Sequence, residues 1–266
     1  MLRKLLKYEF RCMWREFAIL WPAALAVAFL TGCSLEDNGQ SSGMFSVVMA
    51  MVFTGVMIAL FVISVIFIIK RFNSGLLRDE GYLMFTLPVT TGKLVLSKLL
   101  TALMMIIITC VVGIASMFLL SWKFINLPQD LLGEIFRAIG IITSEEPLLW
   151  LSMFQFCIMM LVWSAASILE IYAAISIGHL FQRWRVIISV IAYIVISAIQ
   201  TQLMALIGNL ATLVGLGDFM RYIRIGGGEY AAANTAFLMI ILLGLAFCVA
   251  YYVITTLILS KNLNLE

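Results

Sequence analysis

Residues 44–69 read MFSVVMAMVFTGVMIALFVISVIFII, a run with no charge that is closed at once by Lys70 and Arg71. A helix that crosses a bilayer needs about 20 apolar residues, and this run exceeds that. Five more stretches share its character: 17–33, 99–122, 148–181, 186–207 and 235–259. Over the 266 residues, 64% are apolar and 12% charged, outside the balance of a soluble domain. The expectation is an all-α polytopic membrane protein, one domain over 1–266 with six transmembrane helices.

The connections are sorted by sign. Arg3, Lys4, Lys7, Arg11, Arg15, Lys70, Arg71, Arg78, Lys93, Lys98, Arg183, Arg185 and Lys261, 13 of the 17 basic residues, fall on one side of this layout. The other side, residues 34–43, 123–147 and 208–234, holds only Lys123, Arg137, Arg221 and Arg224 but eight of the 14 acids. By the positive-inside rule both termini are expected in the cytoplasm of a cell-membrane protein. The formal net charge of +3 follows from this bias. No basic run with interleaved aromatics points to nucleic acid.

Cys12, Cys33, Cys110, Cys157 and Cys248 are scattered with no C-x-x-C, so neither a disulfide framework nor a zinc site is implied. Leu30-Thr31-Gly32-Cys33 matches a bacterial lipobox, but Glu9 and Glu16 precede it and five more spans follow, which favours an uncleaved first span. At the start, Leu2, Leu5, Leu6, Phe10, Met13, Trp14 and Phe17 recur at helical spacing while Arg3, Lys7, Arg11 and Arg15 share another face. Residues 1–16 therefore read as an amphipathic helix in the headgroup layer.

The connection 70–98 reads KRFNSGLLRDEGYLMFTLPVTTGKLVLSK. Asn73-Ser74-Gly75 is expected to end the incoming helix, and Pro88 with Thr90-Thr91-Gly92 to mark the restart. Between them Leu76, Leu77, Tyr82, Leu83, Met84, Phe85 and Leu87 surround Arg78-Asp79-Glu80. So many large apolar side chains in a water-facing loop either fold back on the membrane face or fill a groove on a partner.

The opening MLRKLLKYEF, the six spans and the loop RDEGYLMFTLPVTTGKLVLSKLL together resemble the permease subunits of bacterial ATP-binding-cassette (ABC) transporters of the second exporter type. The layout covers the whole chain, and the specific part is about Leu77 to Leu100. The resemblance implies that 73–90 is a coupling segment docking on an ABC ATPase subunit through Leu76, Leu77, Arg78, Asp79, Glu80, Tyr82, Leu83 and Phe85. It also implies a second permease, identical or paralogous, and short re-entrant helices within 209–234. The outer segment 123–147 has no counterpart in that pattern.

No cofactor is expected in this chain itself. Gly92-Lys93 is followed by leucine, and no G-x-x-x-x-G-K-[ST] occurs. ATP and Mg would be bound by the partner ATPase, and the chain is not expected to be an enzyme.

Glu170, in WSAASILEIYAAISIGHLF, is the one clear acid within a span and a candidate for the transport path, set against an internally paired or interfacial carboxylate. The 34 residues of 148–181 would make a straight helix of about 51 Å against a core of about 30 Å, so the depth of Glu170 depends on the end counted from. His179, the lone histidine, reads as a surface group near Arg183. Methionines in spans two to four read as gap fillers or lipid-facing groups, set against an adaptable lining for a greasy substrate.

An intramembrane glutamate protease is the alternative from another class. Glu145-Glu146 superficially fits its paired acids, but Trp150 stands where the expected arginine would be, and His179 is assigned to the opposite side. A membrane scaffold or sensor is the third reading.

Overall fold

The computed structural model describes residues 2–34, 44–77, 90–121, 140, 147–181, 183–215 and 229–261. Among these residues the regular structure is helical. The long helices are α1 (Leu2–Ser34), α2 (Met44–Leu77), α3 (Thr91–Ser121), α4 (Pro147–Gly178), α5 (Arg185–Leu213) and α6 (Glu229–Lys261). All six are long and apolar enough to cross a bilayer. At 29 to 34 residues they measure about 44 to 51 Å, longer than a hydrocarbon core of about 30 Å.

Several helix ends lie beyond the expected span limits. Residues 2–16 are the first turns of α1, continuous with the first span, where the sequence suggests a separate helix. Asn73-Ser74-Gly75 does not end α2, which runs on to Leu77. Helix α3 starts at Thr91, eight residues before the expected span, and takes in Lys93 and Lys98. Its first turn is anchored by the Thr90 carbonyl, which accepts from the Lys93 and Leu94 amides at 2.9 and 3.3 Å. Helix α5 overruns its expected end at 207 to reach Leu213, and α6 begins at Glu229 rather than at 235. Residues 216–228, in the expected re-entrant segment, lie outside the described residues.

Packing groups the chain into two compact units, Met1–Gln129 and Asp130–Glu266. In the first, α1 packs on both α2 and α3. Glu9, Met13, Phe17, Trp21, Ala24, Ala28 and Thr31 are buried along α1 at spacings of three and four, which keeps them on one face. Phe17 meets Phe67 edge-on with ring centroids 5.4 Å apart. Trp21 donates its indole N–H to Thr109 Oγ1 at 3.2 Å.

In the second unit α4 packs on both α5 and α6. Gly244 of α6 lies so close to α4 that a Cβ there would stand 2.8 Å from Val162 Cγ1. Small residues allow this approach where lipid offers no hydrophobic drive for association. Asn234 accepts from Ser152 Oγ at 2.7 Å and donates to the Leu148 carbonyl at 3.3 Å, fastening the start of α6 to that of α4. At the other end, Gly178 closes α4 against the start of α5. A Cβ at Gly178 would collide with the Ser189 side chain and stand 2.7 Å from the Arg185 carbonyl.

Candidate functional site

In the first unit a carboxylate stands where the apolar stripe of α1 calls for a hydrophobic side chain. Glu9 lies between Leu6 and Met13 on that stripe and is 1% exposed. Its Oε1 accepts from Lys98 Nζ of α3 at 3.0 Å and its Oε2 from Arg71 Nε of α2 at 2.6 Å. Lys98 Nζ also donates to the Arg71 carbonyl at 3.3 Å. The Arg71 guanidinium lies 5.8 Å above the centre of the Tyr8 ring. One carboxylate thus joins three helices through charge-assisted bonds, the stronger kind of hydrogen bond.

Burial sets the energetics. The Lys98 side chain is 2% exposed and that of Arg71 13%, so each ion has given up most of its water. Removing one member of such a group leaves an uncompensated buried charge at a cost of about 3 to 5 kcal/mol. A neighbouring pair, Lys70 and Glu16 at 3.5 Å, has side chains 65% and 36% exposed and contributes far less. Cys12, Met13, Glu16, Lys70, Arg71 and Ser74 line a pocket of about 200 Å³ beside the cluster.

The cluster sits where the connection 78–90 leaves α2 and re-enters as α3. Arg71 is six residues before the end of α2 at Leu77, and Lys98 is seven residues after the start of α3 at Thr91. Glu9 therefore clamps both roots of that connection. Of the residues singled out for docking, Leu76 and Leu77 form the last turn of α2. Arg78, Asp79, Glu80, Tyr82, Leu83 and Phe85 lie outside the described residues.

In the second unit Glu170 is 6% exposed among Ala166, Leu169, Ala173 and Ala174 of its own helix. Its Oε1 has no hydrogen-bond partner among the described residues. The same holds for Gln155 Oε1 and Trp163 Nε1. All three residues belong to α4, and helical rotation places them within an arc of about 80°. Glu170 is within electrostatic reach of Tyr251 on α6, whose hydroxyl donates to Gln200 Oε1 on α5 at 2.7 Å. Glu170, Gln200 and Tyr251 lie about 12, 22 and 15 Å in from Gly178, Arg185 and Lys261, the nearby helix ends. All three helices of this unit thus bring polar groups to the half of the unit nearer these ends.

His179 is half-buried in the turn after α4, its amide donating to the Ile175 carbonyl at 3.1 Å. It stands nine residues from Glu170 in the chain. Met105 is buried, whereas Met51, Met104, Met153 and Met160 face outward. Among the described residues no three His, Cys, Asp or Glu side chains gather as a metal site requires. Comparison with protein-family models, with curated proteins and with solved structures finds no match.

Proposed function

We propose that this chain is the permease subunit of an ATP-driven exporter of the ABC type, working with a second permease, identical or paralogous, and with separate ATPase subunits that bind ATP and Mg. The observation that carries this reading is the Glu9 clamp on Arg71 and Lys98. A loop that receives a mechanical stroke must be rooted stiffly, or its motion is lost before it reaches the membrane helices. Glu9 fixes both roots and ties them to α1, so displacement of 78–90 moves three helices together. The large apolar side chains of that connection supply the docking surface.

In this account the basic side of the chain is cytoplasmic, with both termini there, and the first turns of α1 meet the headgroup layer. ATP binding draws the ATPases together, the connection transmits that motion, and the helices rearrange around a path to which Glu170 belongs. Purification of the tagged chain from its native membrane tests the assembly. An ATPase subunit should copurify and hydrolyse ATP, whereas isolation of the chain alone from gently solubilised membranes contradicts the proposal.

A further inference from the structure

The geometry points to a binding site for a lipophilic organic cation in the second unit, with the positive charge at Glu170 and the apolar body along Trp163, Phe247 and Tyr251. Glu170 is more than nine-tenths buried, and its Oε1 is without a hydrogen-bond partner among the described residues. A carboxylate at membrane depth is costly unless a positive group or a polar cavity compensates it, so such residues mark ligand and ion sites.

The surroundings indicate which cation. Phe247 stacks on Tyr251 with ring centroids 6.1 Å apart and planes 21° apart, and Trp163 meets Phe247 at 6.4 Å. Three rings thus run in series from Tyr251, which lies within electrostatic reach of Glu170, toward Trp163, about 10 Å before Glu170 along α4. Aromatic faces attract cations, and desolvation strengthens that attraction. Trp163 and Phe247 are only half-buried, which leaves their rings within reach of a molecule entering from the lipid side.

A strongly hydrated inorganic ion finds one carboxylate, a phenol and one amide oxygen here, short of the oxygen shell it needs. An ammonium or phosphonium with an apolar body requires only the single charge and the rings. The close contact of Gly244 with Val162 and Trp163 closes α4 on α6 just beside the stack, so the apolar body enters as that contact loosens. The assignment gives the permease a substrate class and rests on that reading for transport alone. Binding is measured without any ATPase, so the two can fail separately.

Equilibrium dialysis of tetraphenylphosphonium against the purified full chain in lipid nanodiscs tests the site. The wild-type chain is expected to bind it saturably, and Glu170→Gln to weaken binding about tenfold or more. Phe247→Leu should weaken it about fivefold. Phe61→Leu, on an outward-facing part of α2, should leave it unchanged. Neutral triphenylphosphine oxide should bind at least about tenfold less tightly than the cation. Should Glu170→Gln fail to insert, the Phe247→Leu result and the neutral analogue decide. Absence of saturable binding above empty nanodiscs, equal affinity of the wild-type chain and Glu170→Gln, or equal affinity for the neutral analogue overturns the assignment.

Discussion

Glu9 and Lys98 are 89 positions apart in the chain, yet carboxylate and ammonium meet at 3.0 Å with 1% and 2% of the side chains exposed. Glu9→Gln keeps the shape of the side chain and removes the negative charge that Lys98 and Arg71 share. Stability is expected to fall by about 3 kcal/mol or more, read as thermal unfolding in detergent. Glu16→Gln, which breaks the more exposed pair with Lys70, should cost about 1 kcal/mol or less. Replacing Glu9, Arg71 and Lys98 together by methionine should recover much of the Glu9→Gln loss. Equal melting of the Glu9 and Glu16 variants would show that burial does not set the energy of this cluster.

Glycine substitutions should rank by what the new methyl meets. Gly178→Ala sets a Cβ 2.7 Å from the Arg185 carbonyl, which is backbone and cannot swing aside. Gly244→Ala meets the end of the Val162 side chain at 2.8 Å, which can turn away. Gly55→Ala and Gly208→Ala meet nothing within 4 Å and exchange a poor helix former for a good one, a gain of up to about 1 kcal/mol. Thermal stability should therefore fall most for Gly178→Ala and less for Gly244→Ala, and should hold or rise for the other two. A destabilised Gly55→Ala alongside an unaffected Gly178→Ala would contradict the α4–α5 geometry.

Orientation is open to thiol labelling in a background lacking the five native cysteines. Cysteine at Ser41 should react with an impermeant reagent applied to intact cells, and cysteine at Thr90, which is exposed, only after permeabilisation. Asn234 lies on the outer side by sequence, but it is 6% exposed and hydrogen-bonded to α4, so a cysteine there would report burial rather than sidedness. Labelling of Thr90 from outside with protection of Ser41 reverses the topology.

The six helices are legible in the sequence because a bilayer imposes length and apolarity on each crossing segment separately. Their ends are less so. Asn73-Ser74-Gly75 carries the local signature of a helix stop, yet α2 passes through it, with Arg71 two residues earlier held by Glu9 and Tyr8. Packing outweighs local propensity there. Lys98 falls outside the expected third span because a lysine ordinarily marks water, whereas a buried counterion lets it stand inside a helix.

The clamp itself could have been suspected from one sign, the placing of Glu9 between Leu6 and Met13 on the apolar stripe of α1. Its partners could not, because they depend on how three helices meet. Glu170 stands out as an acid within an apolar span, but Tyr251, within its electrostatic reach, and Gln200, which accepts from Tyr251, stand on helices whose facing sides carry no distinct periodic signal.

Coupling to an ATPase is the central claim, and the most direct measurement is retention of that subunit by a Tyr82→Ala, Phe85→Ala double variant. Truncating buried aromatic anchors at an interface typically costs about 2 kcal/mol or more, which lowers affinity about 30-fold. The variant should insert and fold as the wild-type chain does, yet lose the ATPase in a pull-down and with it substrate-stimulated hydrolysis. Arg78→Ala and Glu80→Ala should have weaker effects that fade as salt rises. A double variant that retains the ATPase fully and transports normally contradicts the account and returns 78–90 to packing against its own membrane domain.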